Sequence, residues 1–217
     1  MFWIGLGGLV LAGGVAGSYA RALAAGFGEE TQDARQEAVL AFRTAAPVPR
    51  RPYLAELVTG VVFGLVGWRF WGSPLLPALL YGVAAGAVLT LVDWRTFRLP
   101  DVVTLPSYLV VAGLLAPTGQ LPMGLACGLA TGGVYLLLWL ASPAGVGLGD
   151  VKLGVLLGLL SGAVGVNTAV LAGVGGQLLG ALYALGLLAT KRATRRTAFP
   201  FGPFMITGAL LAVLIWK

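Results

Sequence analysis

Two aspartates interrupt a chain made mostly of long apolar runs. Asp93 closes one run, in Leu91-Val92-Asp93-Trp94-Arg95-Thr96-Phe97-Arg98-Leu99-Pro100-Asp101. Asp150 opens another, in Gly147-Leu148-Gly149-Asp150-Val151-Lys152-Leu153. A carboxylate at membrane depth is costly and marks a functional candidate by default. Two of them, on segments able to meet at one face, suit an aspartic-type catalytic pair. One carboxylate would act as base toward a water, while the other, protonated, polarises the scissile carbonyl. Such a pair shares one proton and titrates as a unit. Gly147 and Gly149 remove side-chain bulk beside Asp150 and allow positive φ, so that an extended substrate backbone could lie close to the carboxylate.

Each acid also has a purely structural reading. Asp150 precedes an apolar run and could be the N-cap of that helix. Asp93 could pair with Arg95 or Arg98, although an acid at a helix C-terminus opposes the dipole. Asp101 follows Pro100 and starts a span, where capping is the better reading. Glu56 stands in the first turn of a span and reads as structural or as a positioning group. A Ser-Lys nucleophile would combine Lys152 with Ser142 or Ser161, but no motif supports it, and Lys152 reads more simply as a charge at the membrane surface. The chain has no histidine, which removes zinc HExxH proteases and Ser-His hydrolases. Its single cysteine, Cys127, sits in an apolar run, excludes an internal disulfide or a cysteine metal cluster, and reads as a small core residue.

The elements that position these groups are membrane spans. Of 217 residues, 58% are hydrophobic and 10% charged, against about 25% charged in soluble domains; the mean hydropathy is +0.92. A span needs about 20 apolar residues. About eight segments qualify, near 2–20, 54–72, 75–94, 101–117, 121–141, 150–166, 168–189 and 202–216, the weakest break being the turn at Val166-Asn167. The expected fold is therefore all-α, a polytopic transmembrane helical bundle. Residues 1–20 form a first span and not a cleaved signal peptide, since no basic stretch precedes them. Residues 21–53 form a short polar segment with an amphipathic helix around 30–43 and a Pro-rich run at 46–52. Residues 54–217 form the membrane core. The 34 glycines fit close helix packing in lipid.

Charge orients this bundle. With the N-terminus outside, the inward loops hold Arg21, Arg35, Arg43, Arg50 and Arg51, then Arg95 and Arg98, then Lys152, then Lys191, Arg192, Arg195 and Arg196. Only Arg69 and Lys217 fall outside, as the positive-inside rule requires. The net charge of +6 is thereby explained without nucleic acid. Glu29, Glu30, Asp33 and Glu37 read as solvated loop acids. Glu56, Asp93, Asp101 and Asp150 all map to inner ends of spans. A small cation transporter or channel using these acids is the reading from another class, but a proton or ion path would more naturally place a carboxylate near the midplane.

At these residues the chain resembles the type IV prepilin peptidases, the bacterial branch of the GxGD membrane aspartyl proteases. The stretch from Asp93 to Asp101, followed by Leu105-Pro106, looks like the family's first catalytic motif. Gly147-Leu148-Gly149-Asp150-Val151-Lys152-Leu153 looks like its second. Arg51-Pro52-Tyr53-Leu54-Ala55-Glu56-Leu57-Val58-Thr59-Gly60 and Phe199-Pro200-Phe201-Gly202-Pro203-Phe204 resemble two further family segments. The resemblance implies Asp93 and Asp150 as the catalytic pair, with Gly147, Gly149, Asp101, Lys152 and Glu56 around the substrate. It implies removal of the short basic leader of prepilins or pseudopilins, just after a glycine, at the cytoplasmic face of the bacterial inner membrane. Proteolysis would need no cofactor. Many members also N-methylate the new terminus with S-adenosylmethionine. Full-length members carry two Cys-x-x-Cys pairs in a larger loop. Here residues 21–53 hold no cysteine, so the zinc-type site is absent and S-adenosylmethionine is expected only if methylation is retained.

Overall fold

The computed structural model describes residues 1–28, 33–143, 145–191, 194, 197 and 199–215, apart from the side chains of residues 34 and 35. Among them are α1 (Phe2–Ala24), α2 (Ala34–Thr44), α3 (Leu54–Arg69), α4 (Leu76–Thr96) and α5 (Asp101–Leu115), which runs into a 3-10 turn at Ala116–Thr118. Then come α6 (Leu121–Ala141), α7 (Leu148–Val164), α8 (Val166–Ala189) and α9 (Gly202–Ile215). No strand occurs among the described residues. The all-α expectation holds. Among the described residues five helices are long and apolar enough to cross a membrane: α1, α4, α5 with its 3-10 extension, α6 and α8; α9 is a shorter apolar helix. The protein is a multi-pass membrane protein. With 16 and 17 residues, α3 and α7 are about 24–26 Å long, somewhat less than the roughly 30 Å hydrocarbon layer.

Every apolar segment of the sequence falls in a helix, because lipid leaves the backbone no partner but itself. The ends move by a turn or less, with two consequences. The break expected at Val166-Asn167 lies instead at Gly165, and both residues belong to α8. The seventh helix begins at Leu148 and not at Asp150. The amphipathic helix expected near 30–43 is α2. Glu29, Glu30, Arg192, Arg195, Arg196 and Lys217 lie outside the described residues.

The chain divides into two compact units, Met1–Thr118 and Gly119–Lys217. In the first, α1 packs along α3, α4 packs on both, and α2 and α5 rest against α1 and α4 respectively. Small residues permit the α1–α3 approach: a Cβ at Gly13 would fall 2.8 Å from the Gly60 Cα. Gly26, just past α1, is covered by Ala41 of α2, and Ala38 and Ala41 form the buried side of that helix.

In the second unit α6 lies along α7, and α8 along α9. A Cβ at Gly158 would come within 2.8 Å of the Cys127 carbonyl oxygen, so the α6–α7 contact runs backbone to backbone. Cys127 is buried there, as the core reading expects. The Phe199–Phe204 stretch is an aromatic clamp at the start of α9. Phe199 and Phe204 stack on Tyr183 of α8 with centroids 5.8 and 4.9 Å away, and Phe201 approaches Tyr135 of α6 at 6.3 Å.

Candidate active site

Asp93 sits in the last turn of α4 and is 5% exposed. Its neighbours Val92 and Thr96 are also buried, and the Thr96 hydroxyl donates to the Val92 carbonyl at 2.9 Å. Phe97 closes the helix in the left-handed region (φ 54°) and donates its N–H to the Asp93 carbonyl at 2.9 Å. An aromatic residue seldom takes this conformation, which costs about 1–2 kcal/mol. Here it stops α4 one turn after Asp93 and turns the chain toward Arg98–Asp101.

Arg98, one sequence candidate for pairing with Asp93, reaches α2. It lies 3.7 Å from Glu37 and donates to the Gly28 carbonyl at 3.1 Å. Glu37 is therefore no solvated loop acid. Its side chain is 11% exposed and accepts the Gly28 N–H at 2.6 Å. Asp101 is the first residue of α5, after the N-cap Pro100, and is exposed. It occupies the first turn, where the helix dipole favours an acid.

Asp150 is the third residue of α7, not its N-cap. Gly147 holds the cap position, and the Asp150 carboxylate reaches back to accept the Gly147 N–H at 2.8 Å. That is the acidic half of a capping box. One carboxylate oxygen is thus fixed by backbone, which orients the group at the mouth of the helix. The positive φ expected at Gly147 and Gly149 is not used: Gly147 is extended (φ −85°, ψ 156°) and Gly149 is helical. A Cβ at Gly147 would stand in contact with Asp150 Oδ2, at 3.4 Å, so glycine keeps the side of the carboxylate clear.

Lys152 is half-buried one position short of the fully buried Leu153. Ser161 cannot serve it as a nucleophile. That hydroxyl is fully buried and donates to the Leu157 carbonyl at 2.6 Å, and nine residues along one helix separate the two by about 13 Å. Ser142 stands at the C-terminal cap of α6.

Glu56 lies in the first turn of α3 and is buried against Arg21 of α1, with which it forms an ion pair. Arg21 also donates to the carbonyls of Val48 and Arg50. Within the first unit this cluster joins α1, α3 and the Pro-rich segment, so Glu56 serves the architecture. Sequence reasoning missed Arg21 in this role. The signal available was an arginine closing an apolar run with a buried-side acid opening the next. It also missed Tyr135, whose ring fills the space over Gly154: a Cβ there would fall 2.7 Å from the ring. Together with Phe201 it braces α7 one turn beyond Asp150.

The family model described as the type IV leader peptidase family matches residues 80–216. The chain belongs to the type IV leader peptidase family. The match includes α4 from residue 80 onward with Asp93, the turn to Asp101, and α7 with Asp150. Among its relatives are proteins named prepilin leader peptidase/N-methyltransferase. That of Bacillus subtilis is 33% identical over 165 residues, covering 74% of this chain and 64% of its own. That of Pseudomonas aeruginosa is 31% identical over 182 residues, covering 78% and 60%. That of Neisseria gonorrhoeae is 33% identical over 160 residues, covering 69% and 52%. The chain thus spans between about half and two thirds of the length of these relatives. No solved structure matches.

Proposed function

We propose that this leader peptidase family member is a membrane aspartic endopeptidase. It removes the basic leader of type IV prepilins or pseudopilins, after a glycine, at the cytoplasmic face of the bacterial inner membrane. Asp93 and Asp150 form its catalytic pair, converging on one water. The carboxylate takes a proton as the water oxygen attacks the scissile carbonyl carbon. The protonated partner gives its proton to the carbonyl oxygen. Collapse of the tetrahedral species breaks the C–N bond, and a proton passes to the departing amine. Glycine before that bond keeps steric demand low. No resident cofactor takes part in proteolysis. N-methylation with S-adenosylmethionine is a separate activity, read directly as a methyl group on the processed terminus by mass spectrometry.

The observation that carries this reading is a nearly fully buried carboxylate at the end of an apolar helix, Asp93, inside the segment that the family model matches. The basic residues of the inward loops support eight spans with the N-terminus outside, which puts both aspartates on the cytoplasmic side. Gly147, Gly149, Asp101 and Lys152 border the substrate in this reading, and Glu56 acts through the helices it ties.

Co-expression with a prepilin tests the proposal by leader loss on a gel. Asp93→Ala and Asp150→Ala each abolish processing while the protein still inserts, and Asp101→Asn costs less. Normal processing by both alanine variants refutes the assignment. Proton or cation flux in liposomes without leader cleavage would replace it with a transporter.

A further inference from the structure

The turn after Asp93 forms one wall of an open cleft of about 770 Å³, a size typical of ligand sites. Arg98, Leu99, Pro100, Asp101 and Val102 line that wall, and α2 with Phe27 supplies the other. Val39 and Phe42 of α2 face it and remain 45% and 42% exposed. An amphipathic helix ordinarily covers its apolar side. The walls are tied together. Glu37 binds the Gly28 N–H and lies beside Arg98, which in turn binds the Gly28 carbonyl. A groove held open in advance lowers the entropy cost of taking up a flexible chain.

The lining names the kind of occupant. It carries two acids, Glu37 and Asp101, and two bases, Arg43 and Arg98, among apolar side chains. Its charges balance, so no excess of positive charge draws an anionic lipid headgroup or phosphate. Asp101, exposed at the end of the cleft next to the Asp93 turn, can take a cationic side chain, and Val39 and Phe42 can take an apolar one. A peptide carrying both needs only a short extended run between Asp93 and this wall, since Arg98 follows Asp93 by five residues.

We propose that this cleft binds the substrate on the leader side of the scissile bond, an apolar side chain lying against Val39 and Phe42 and a cationic one beside Asp101. This inference rests on the peptidase reading. In that reading the portion beyond the cut is the apolar helix in the bilayer, and the leader is the part free to lie along the polar α2 segment. α2 thereby becomes a specificity element of the enzyme.

The test uses the full chain in detergent or nanodiscs with a prepilin, and with the same prepilin shortened to its last leader residues. Phe42→Arg raises KM for the full leader about tenfold with kcat within about twofold, and leaves cleavage of the shortened substrate at the wild-type level. Separately, a photo-crosslinking residue at position 39 forms its adduct with leader residues. An unchanged KM, or an adduct confined to the mature portion or to lipid, overturns the proposal. If Phe42→Arg does not fold, the adduct position decides alone. A wild-type enzyme that leaves prepilin uncut removes the peptidase reading itself. Cleavage with an indifferent α2 removes only the cleft's role.

Discussion

Replacing Arg21 by alanine removes the cation that holds Glu56 inside the first unit. The Glu56 side chain is 10% exposed and that of Arg21 25%, and Glu56 Oε2 is already buried without a hydrogen-bond partner. Deleting one member of a fully buried pair costs about 3–5 kcal/mol, because the remaining charge is stranded. Water reaches a quarter of the arginine side chain, which brings the expected loss to about 2–3 kcal/mol. Two donations to the carbonyls of Val48 and Arg50 go with it. For a chain of this size that loss corresponds to a fall of roughly 5–10 °C in Tm, followed by helical circular dichroism in detergent. Glu56→Gln costs less, about 1 kcal/mol, since the guanidinium keeps its carbonyl acceptors and some water. The double variant Arg21→Ala with Glu56→Gln is less destabilised than the sum, by about 1–2 kcal/mol, because no charge is left stranded. An Arg21→Ala protein within about 0.5 kcal/mol of wild type, or strictly additive variants, refutes the reasoning.

Two further outcomes follow from the start of α7. Asp150→Asn keeps an oxygen that can accept the Gly147 N–H, so it melts within about 1 kcal/mol of wild type yet loses processing by roughly 10²–10⁴-fold; a variant that melts normally and cleaves normally removes Asp150 from the chemistry. Gly147→Ala folds, because the backbone there is extended and a Cβ meets nothing closer than Asp150 Oδ2 at 3.4 Å, yet it slows processing by roughly tenfold or more, since that Cβ takes the space in which the substrate backbone borders the carboxylate; processing on a gel within about twofold of wild type would show that substrate backbone does not occupy that space.

Length and hydropathy determine the all-helical class of this protein. Each apolar run states a local preference for lipid over water, and in lipid the helix is the conformation that satisfies a single segment's backbone. That is why the runs at 54–72, 121–141 and 202–216 read correctly as α3, α6 and α9. Asp93 and Asp150 stand out in the sequence against apolar neighbours, and both fall within residues 80–216, the segment that the leader peptidase family model matches. Helix ends were less legible. Capping depends on atoms a few residues away, so Asp150 proved to be the third helical residue with its carboxylate turned back to Gly147, and the break near 166 fell at Gly165.

Pairings between distant residues belong to tertiary structure alone. Glu37 carried no sign in the sequence that it would leave solvent for Gly28 and Arg98, and for Glu56 only the position of Arg21 at the end of the preceding apolar run hinted at its partner. Composition gives each acid a charge and a depth. Only the side-by-side packing of helices, set by where glycines let backbones touch, chooses which cation stands opposite it.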